Sequence, residues 1–387
     1  MRLVLAHDWL VGMRGGERVL DRLARIAVDY SGEPAPLYLL VDNGKPHTPA
    51  IDVCPKRTSL LQHLPGSTGR LRRWYLPLFP MAVDRLVVEP CDLLISSSSA
   101  AIKGIKPPPG ARHICYCHTP ARYIWSRTSH YGNGVKRFGL ELVRNRFRKW
   151  DRNTSTTVDK FIANSSHTAS EIFRCFGRES TIIHPPVRTD FFTPDAAVHR
   201  TDAFVIVSAL EPYKRIDIAI RAANACKLPL LIAGEGSQKN QLSRLAGPTV
   251  TMLGRVPEDK VRHLYRMAKA FVFPALEDFG IAPVEAMACG TPVIAYRAGG
   301  ALDTVTAETG TFFTAQTAGS LAEAMLNFNP VHFRPNRIRQ HAEQFSTSNF
   351  DTRMRTVIES VINDREQNQP PHSELPEKAN VVLTSDR

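Results

Sequence analysis

The chain has 387 residues, enough for two domains that each bury a full core. Its hydrophobic share of 43% and charged share of 22% are those of a globular protein, and no apolar run reaches the ~18 residues of a membrane-spanning helix. The net charge of +12 is uneven: residues 1–190 hold 28 Lys and Arg against 16 Asp and Glu, while residues 191–387 hold 21 of each, so the first half needs an anionic partner.

The opening "MRLVLAHDWLVG" alternates like a buried strand and turns polar too soon for a secretory signal. "GGERVLDRLARIA" follows with helical spacing. "CDLLISSSS" and "HICYCHTP" are the next strand candidates. "KFIANSS" then precedes the helical "HTASEIFRCFG", which Ser165 or Ser166 can cap. This βα alternation predicts an open parallel sheet covered by helices. The segment 180–200, "STIIHPPVRTDFFTPDAAVHR", breaks the rhythm with three prolines. Five further strand candidates follow: "AFVIVSAL", "LPLLIAGEG", "VTMLGRV", "AFVFPAL" and "TPVIAYR". The expected architecture is α/β: two Rossmann-like domains whose parallel sheets face a central cleft. The first spans 1–190 and is completed by a late amphipathic helix at about 345–363. The second spans 195–344, and 364–387 has the composition of a disordered tail. Ligands of such sheets bind at the carboxyl ends of the strands. The seven cysteines are odd in number and sit mostly in apolar segments, which fits reduced thiols; Cys115 and Cys117 lack a second pair at zinc-site spacing.

Four stretches carry chemistry. In "ALEDFGIAPVEAMACG", Glu277 leaves a strand and Pro283 suits the first turn of a helix that Gly290 ends. The amides of Gly280, Ile281 and Ala282 would lie at that helix N-terminus, a natural anion site. Glu277 and Glu285 would both project toward one ligand and accept from sugar or ribose hydroxyls. In "SALEPYKRID", Lys214 and Arg215 follow a strand end, where two cations match a diphosphate. In "GMRGGERVL", Gly15 and Gly16 follow the first strand and let a phosphate approach the backbone, although the full G-x-G-x-x-G spacing is absent. In "CYCHTPARYIW", His118 ends a strand and faces the cleft. Taken singly, each stretch also has a bland reading: a solvated helix start, a plain turn, or a structural histidine.

Together these stretches resemble the GT-B retaining glycosyltransferases of family 4, and in particular bacterial O-antigen and exopolysaccharide mannosyltransferases. The E-x7-E motif "EDFGIAPVE" is the most specific part; "HTPARYIW", "ANSSHTASEI", "HPPVRTDFF" and "PYKRID" match in order, over about residues 1–362. The resemblance implies that Lys214 and Arg215 neutralise the donor diphosphate. It places Glu285 on the ribose, and Glu277 with the amides of Gly280 to Ala282 on the donor sugar. It sets His118 beside the reacting sugar, Gly15 and Gly16 between donor phosphate and acceptor, and Arg255 near the base. Ala209 stands where many members carry an arginine, and Arg215 is the candidate to supply that charge.

The expected reaction moves a hexose from a nucleotide-sugar to a hydroxyl. GDP-mannose is the favoured donor and a UDP-hexose the alternative. No D-x-D occurs in the sequence, so no metal ion or other cofactor is expected. The expected acceptor is a polyprenyl-diphosphate-linked glycan, and the chain is expected to be cytoplasmic, attached peripherally to the inner face of the cytoplasmic membrane. Two basic stretches, 69–80 and 135–152, would meet an anionic membrane surface, the second with Phe138, Phe147 and Trp150 among its cations. A nucleotide-sugar epimerase of the same architecture is the rival enzyme. A nucleic-acid partner is not expected, because zinc-finger spacing, aromatic RNA-binding strands and basic helices leading into heptads are all missing.

Overall fold

The computed structural model describes residues 1–125 and 135–368. Two parallel sheets organise them. The first has seven strands in the order β3-β2-β1-β4-β5-β6-β7. These are β1 (Leu3–Leu10), β2 (Leu37–Asp42), β3 (Lys56–Thr58), β4 (Leu93–Ser98), β5 (Arg112–Cys117), β6 (Lys160–Ala163) and β7 (Ser180–Ile182). The second has six, in the order β10-β9-β8-β11-β12-β13. These are β8 (Phe204–Val207), β9 (Leu230–Ala233), β10 (Val250–Gly254), β11 (Ala270–Phe273), β12 (Val293–Tyr296) and β13 (Gly310–Phe313).

Both sheets are doubly wound, so each has a switch point where the strand order reverses: β1 beside β4, and β8 beside β11. Crevices open at the carboxyl ends there. The expected strands all form. β2, β3, β7 and β13 are additions. β2 is buried along nearly its whole length, so its apolar run "LYLLVD" lacks the alternation that marks a strand. β3, β7 and β13 are three or four residues long and all three are sheet edges, too short for a periodic signal.

The helix Gly15–Ser31 packs its apolar side, including Val19, Leu20, Leu23 and Ile26, on the first sheet. Ser165 caps the helix Ser166–Phe176 by accepting from the Thr168 amide at 3.1 Å. The final helix, Thr347–Asn368, returns to the first sheet and buries Phe350, Met354 and Ile358 in the same core as β1 and the helix Gly15–Ser31. Each such burial is worth about 2 kcal/mol. Linker and return strand run side by side: Val187 donates to the Phe345 carbonyl at 2.9 Å and bridges Ser346. The final helix continues to Asn368, past the expected start of the tail at 364; the tail from 369 on lies outside the described residues.

One expected face is corrected. The helix Val135–Thr154 does not turn Phe147 and Trp150 outward. Phe147 is buried, and Trp150 packs edge-on against it while donating to the Asp84 carboxylate. Arg144 and Arg148 donate to the Ile124 carbonyl at 3.1 and 2.9 Å, and Arg152 donates to the Cys175 carbonyl at 3.0 Å. These guanidinium groups satisfy carbonyls at the ends of neighbouring elements. The side chain of Phe138 lies outside the described residues.

Candidate functional site

His118 follows β5 and is held from three sides. Its Nε2 lies 2.8 Å from the Ser97 hydroxyl, at the end of β4. The same hydroxyl lies 3.1 Å from His7 Nδ1 of β1, which is also 3.0 Å from the Ser97 carbonyl. A carbonyl only accepts, so His7 Nδ1 carries a proton. The Ser97 hydroxyl is then free to donate to His118 Nε2, an arrangement that suits the Nδ1–H tautomer of His118. Asn164 donates to the His118 carbonyl at 2.9 Å and pins the backbone. Burial, reinforced by His7, pulls the His118 pKa down to about 3. The imidazole is therefore neutral near pH 7. Beneath it, the buried Asp8 carboxylate gathers the amides of Ala100, Ala101 and Ile102, each at 2.9 Å, and so fixes the turn that follows Ser97.

Gly16 lies against this histidine pair. A Cβ there would stand 3.6 Å from His118 Nε2 and 3.5 Å from His7 Cε1. The turn before it is tied by Glu17, whose carboxylate accepts from the Arg14 amide at 3.0 Å. A Cβ on Gly15 would come within 3.1 Å of Ile281 Cδ1. The glycine turn of the first domain thus touches the helix start of the second.

That start is Gly280, at φ +90°, followed by the helix Ile281–Ala288. Pro283 lies in its first turn, and Gly290, at φ +76°, follows its end. Gly280 is required: a Cβ would meet the Phe273 ring at 2.6 Å. Glu277 lies just before this turn and pairs with Lys214, which follows β8. Arg215 has left-handed backbone at φ 51° and opens the helix Ile216–Cys226. Its guanidinium reaches Asp217 at 3.2 Å and Gln316 at 3.3 Å. A non-glycine residue held in that region is locally strained, as is common at ligand sites.

The structure brings His118, Gly15, Gly16, Gly280, Ile281 and Ala282 to one gap, with Lys214 and Glu277 paired at its second-domain wall. Glu277 and Glu285 each face a cation, but different ones. Glu285 is buried and accepts from Arg18 at 2.5 Å and from the Tyr265 hydroxyl at 3.1 Å. Arg255 is exposed just past the edge strand β10, with β9 between that strand and β8. Sequence reasoning missed the partners across the gap. Arg122 pairs with Asp278, and the Ser166 amide donates to Asp303 at 2.6 Å. Burial pushes the Asp278 carboxyl upward against the pull of Arg122. Among the described residues, no group of three or more His, Cys, Asp or Glu is placed to hold a metal ion.

The model of Glycosyltransferase Family 4 matches residues 13–191, and that of Glycosyl transferases group 1 matches residues 188–344. The chain belongs to glycosyltransferase family 4. Curated relatives include the D-inositol 3-phosphate glycosyltransferase of Mycolicibacterium smegmatis, 35% identical over 37% of this chain and 38% of that protein. Another is the GDP-mannose-dependent monoacylated alpha-(1-6)-phosphatidylinositol monomannoside mannosyltransferase of Corynebacterium glutamicum, 32% identical over 45% of this chain and 54% of that one. The matches thus span about half the length of these relatives or less. Solved structures align over almost the whole family 4 chain. Anabaena HepE in complex with UDP and glucose has a TM-score of 0.66 at 19% identity, covering 93% of this chain and 100% of its own. Sucrose-phosphate synthase from Thermosynechococcus elongatus has a TM-score of 0.70 at 19% identity, covering 94% and 100%. They establish the fold as GT-B.

Proposed function

We propose that this chain transfers a hexose, with retention and without a metal ion, from a nucleotide-sugar to a lipid-linked glycan. One observation carries the reading. Lys214, Glu277 and the helix start at Gly280 lie at strand ends of one sheet, and the glycine turn of the other sheet, with neutral His118 against Gly16, meets Ile281 at that helix start.

The transition state resembles an oxocarbenium ion, with negative charge growing on the departing diphosphate. Lys214, Arg215 and the amides of Gly280, Ile281 and Ala282 would stabilise that charge. Lys214 is paired with Glu277 here, so the donor diphosphate would draw Lys214 toward itself and free Glu277 for the sugar hydroxyls. Glu285 would take the ribose and Arg255 would border the base. Among the described residues no carboxylate stands out as a covalent nucleophile, which favours attack on the face the leaving group departs from. The leaving phosphate oxygen takes the acceptor proton. His118, uncharged, orients the sugar rather than moving a proton.

GDP-mannose is the favoured donor, supported by the named activity of the Corynebacterium relative. A UDP-hexose is the second reading, favoured by the UDP and UDP-glucose complexes of Anabaena HepE. The acceptor would be a polyprenyl-diphosphate-linked glycan at the inner face of the cytoplasmic membrane. The basic first half supports this, as does Trp74, which stands 79% exposed in the arginine-rich run 70–78. Among the described residues, no helix is long and apolar enough to cross a membrane.

The test is an assay of GDP-mannose and UDP-glucose with lipid-linked glycans in EDTA, followed by NMR of the product anomer. Transfer with retained configuration is expected. Conversion of the donor to an epimer without acceptor, or transfer that needs added metal, would overturn the proposal.

A further inference from the structure

Glu285 is held by the opposite domain. Arg18, in the first turn of the helix Gly15–Ser31, donates to its Oε1 at 2.5 Å, while the Tyr265 hydroxyl takes Oε2 at 3.1 Å. Only 8% of the Glu285 side chain is exposed. The other arm of the same guanidinium lies 3.7 Å from Glu258, which also binds Arg188 of the linker at 2.6 Å. Burial opposes the Arg18 charge, but the two glutamates outweigh it and hold its pKa above the ordinary arginine value. Arg18 is the third residue after Gly15, whose turn meets Ile281. One helical turn of the first domain therefore covers the carboxylates of the second.

We propose that Arg18 is a latch across the cleft: it occupies Glu285, and the ribose diol of an entering nucleoside diphosphate must displace it. This rests on the assignment of Glu285 to the ribose. The physical reason is exclusion. A diol needs an open face of the carboxylate, and with Arg18 on one oxygen and Tyr265 on the other only 8% of the side chain is exposed. The latched state then competes with nucleotide, and its stability is subtracted from the apparent affinity. Exchange, rather than simple docking, couples donor entry to the contact between domains. It also lets the domains part when product leaves.

The test uses the full chain in EDTA and titrates GDP and UDP by calorimetry. Arg18→Gln should bind the preferred nucleotide about tenfold tighter than wild type, the size expected from losing one competing charge-assisted hydrogen bond. Arg18→Lys should restore most of the wild-type value. In a Glu285→Gln background, Arg18→Gln should change nothing, because the shared carboxylate is gone. Nucleotide-free Arg18→Gln should also show a larger radius of gyration by X-ray scattering. If Arg18→Gln misfolds, Glu258→Gln loosens the same guanidinium and should shift affinity in the same direction by less. Weaker or unchanged affinity in Arg18→Gln, with wild-type binding intact, overturns the latch alone. Failure of wild type and every variant to bind either nucleotide overturns the ribose assignment and the latch together.

Discussion

His118 is held neutral because desolvation at the strand end, with His7 beside it, takes its pKa to about 3. Replacing it with alanine removes a positioned hydrogen-bonding group, and turnover should fall at least about a hundredfold. The wild-type rate should show no acid limb from this group between pH 5 and 8; near-normal turnover in His118→Ala would remove it from the mechanism. His113 gives the corresponding stability signal. It is fully buried against Ser96, and burial lowers its pKa from 6.5 to about 4. The unfolded chain therefore binds a proton that the folded chain refuses. The stability this group contributes is complete above pH 6.5 and is lost as pH falls toward 4, at about 1.4 kcal/mol per unit. Urea midpoints at pH 7 and 5 measure it: wild type should lose stability, and His113→Asn should show a shallower slope. A slope identical in both would refute the assignment. His118, Lys214 and Glu277 were legible because each follows an apolar strand run at a polar turn. Arg18 and Arg122 were not, since their partners lie 267 and 156 residues away and nothing local marks them.

The loop that presents Glu277 depends on a second loop packed against it. Gly300 donates its amide to the Glu277 carbonyl at 2.9 Å. Gly299 has φ +65°, and a Cβ there would stand 2.3 Å from that same carbonyl oxygen. Backbone cannot yield as a flexible side chain does, so Gly299→Ala should cost about 1–3 kcal/mol and displace Glu277. A displacement near 1 Å can cost a hundredfold in rate, and kcat/KM should fall accordingly. Gly319→Ala is the control: it lies in the helix Ala318–Leu326 with open space around it, and should be neutral or slightly stabilising. Equal melting temperatures for the two variants would contradict the packing argument. Among the elements, the helix start at Gly280 was readable because Gly280, Pro283 and Gly290 punctuate it. The orientation of the helix Val135–Thr154 was not. Arg144, Arg148 and Arg152 recur every four residues and plainly share a face, but charge spacing does not say whether that face meets water or the carbonyls of Ile124 and Cys175.

Over the whole chain, the charge asymmetry acquires a structural meaning. The first domain, carrying the full excess of +12, meets the second through Arg18 to Glu285 and Arg122 to Asp278. The linker adds Arg188 to Glu258. Each of these contacts places a cation from outside the second domain on one of its carboxylates. The two covalent crossings lie together at Val187 and Phe345, so the domains can part about one seam without breaking either core. The two-domain architecture was legible from apolar runs and the proline-rich break. The contacts between the domains belong to tertiary packing, where local pattern is silent. Calorimetric titration of GDP and UDP in EDTA, with wild type and Lys214→Ala side by side, decides whether a diphosphate docks at these strand ends without a metal. Binding to wild type that is indifferent to EDTA, and at least about tenfold weaker in Lys214→Ala, is expected for a charge-assisted contact. Binding abolished by EDTA, or unchanged in Lys214→Ala, would contradict it.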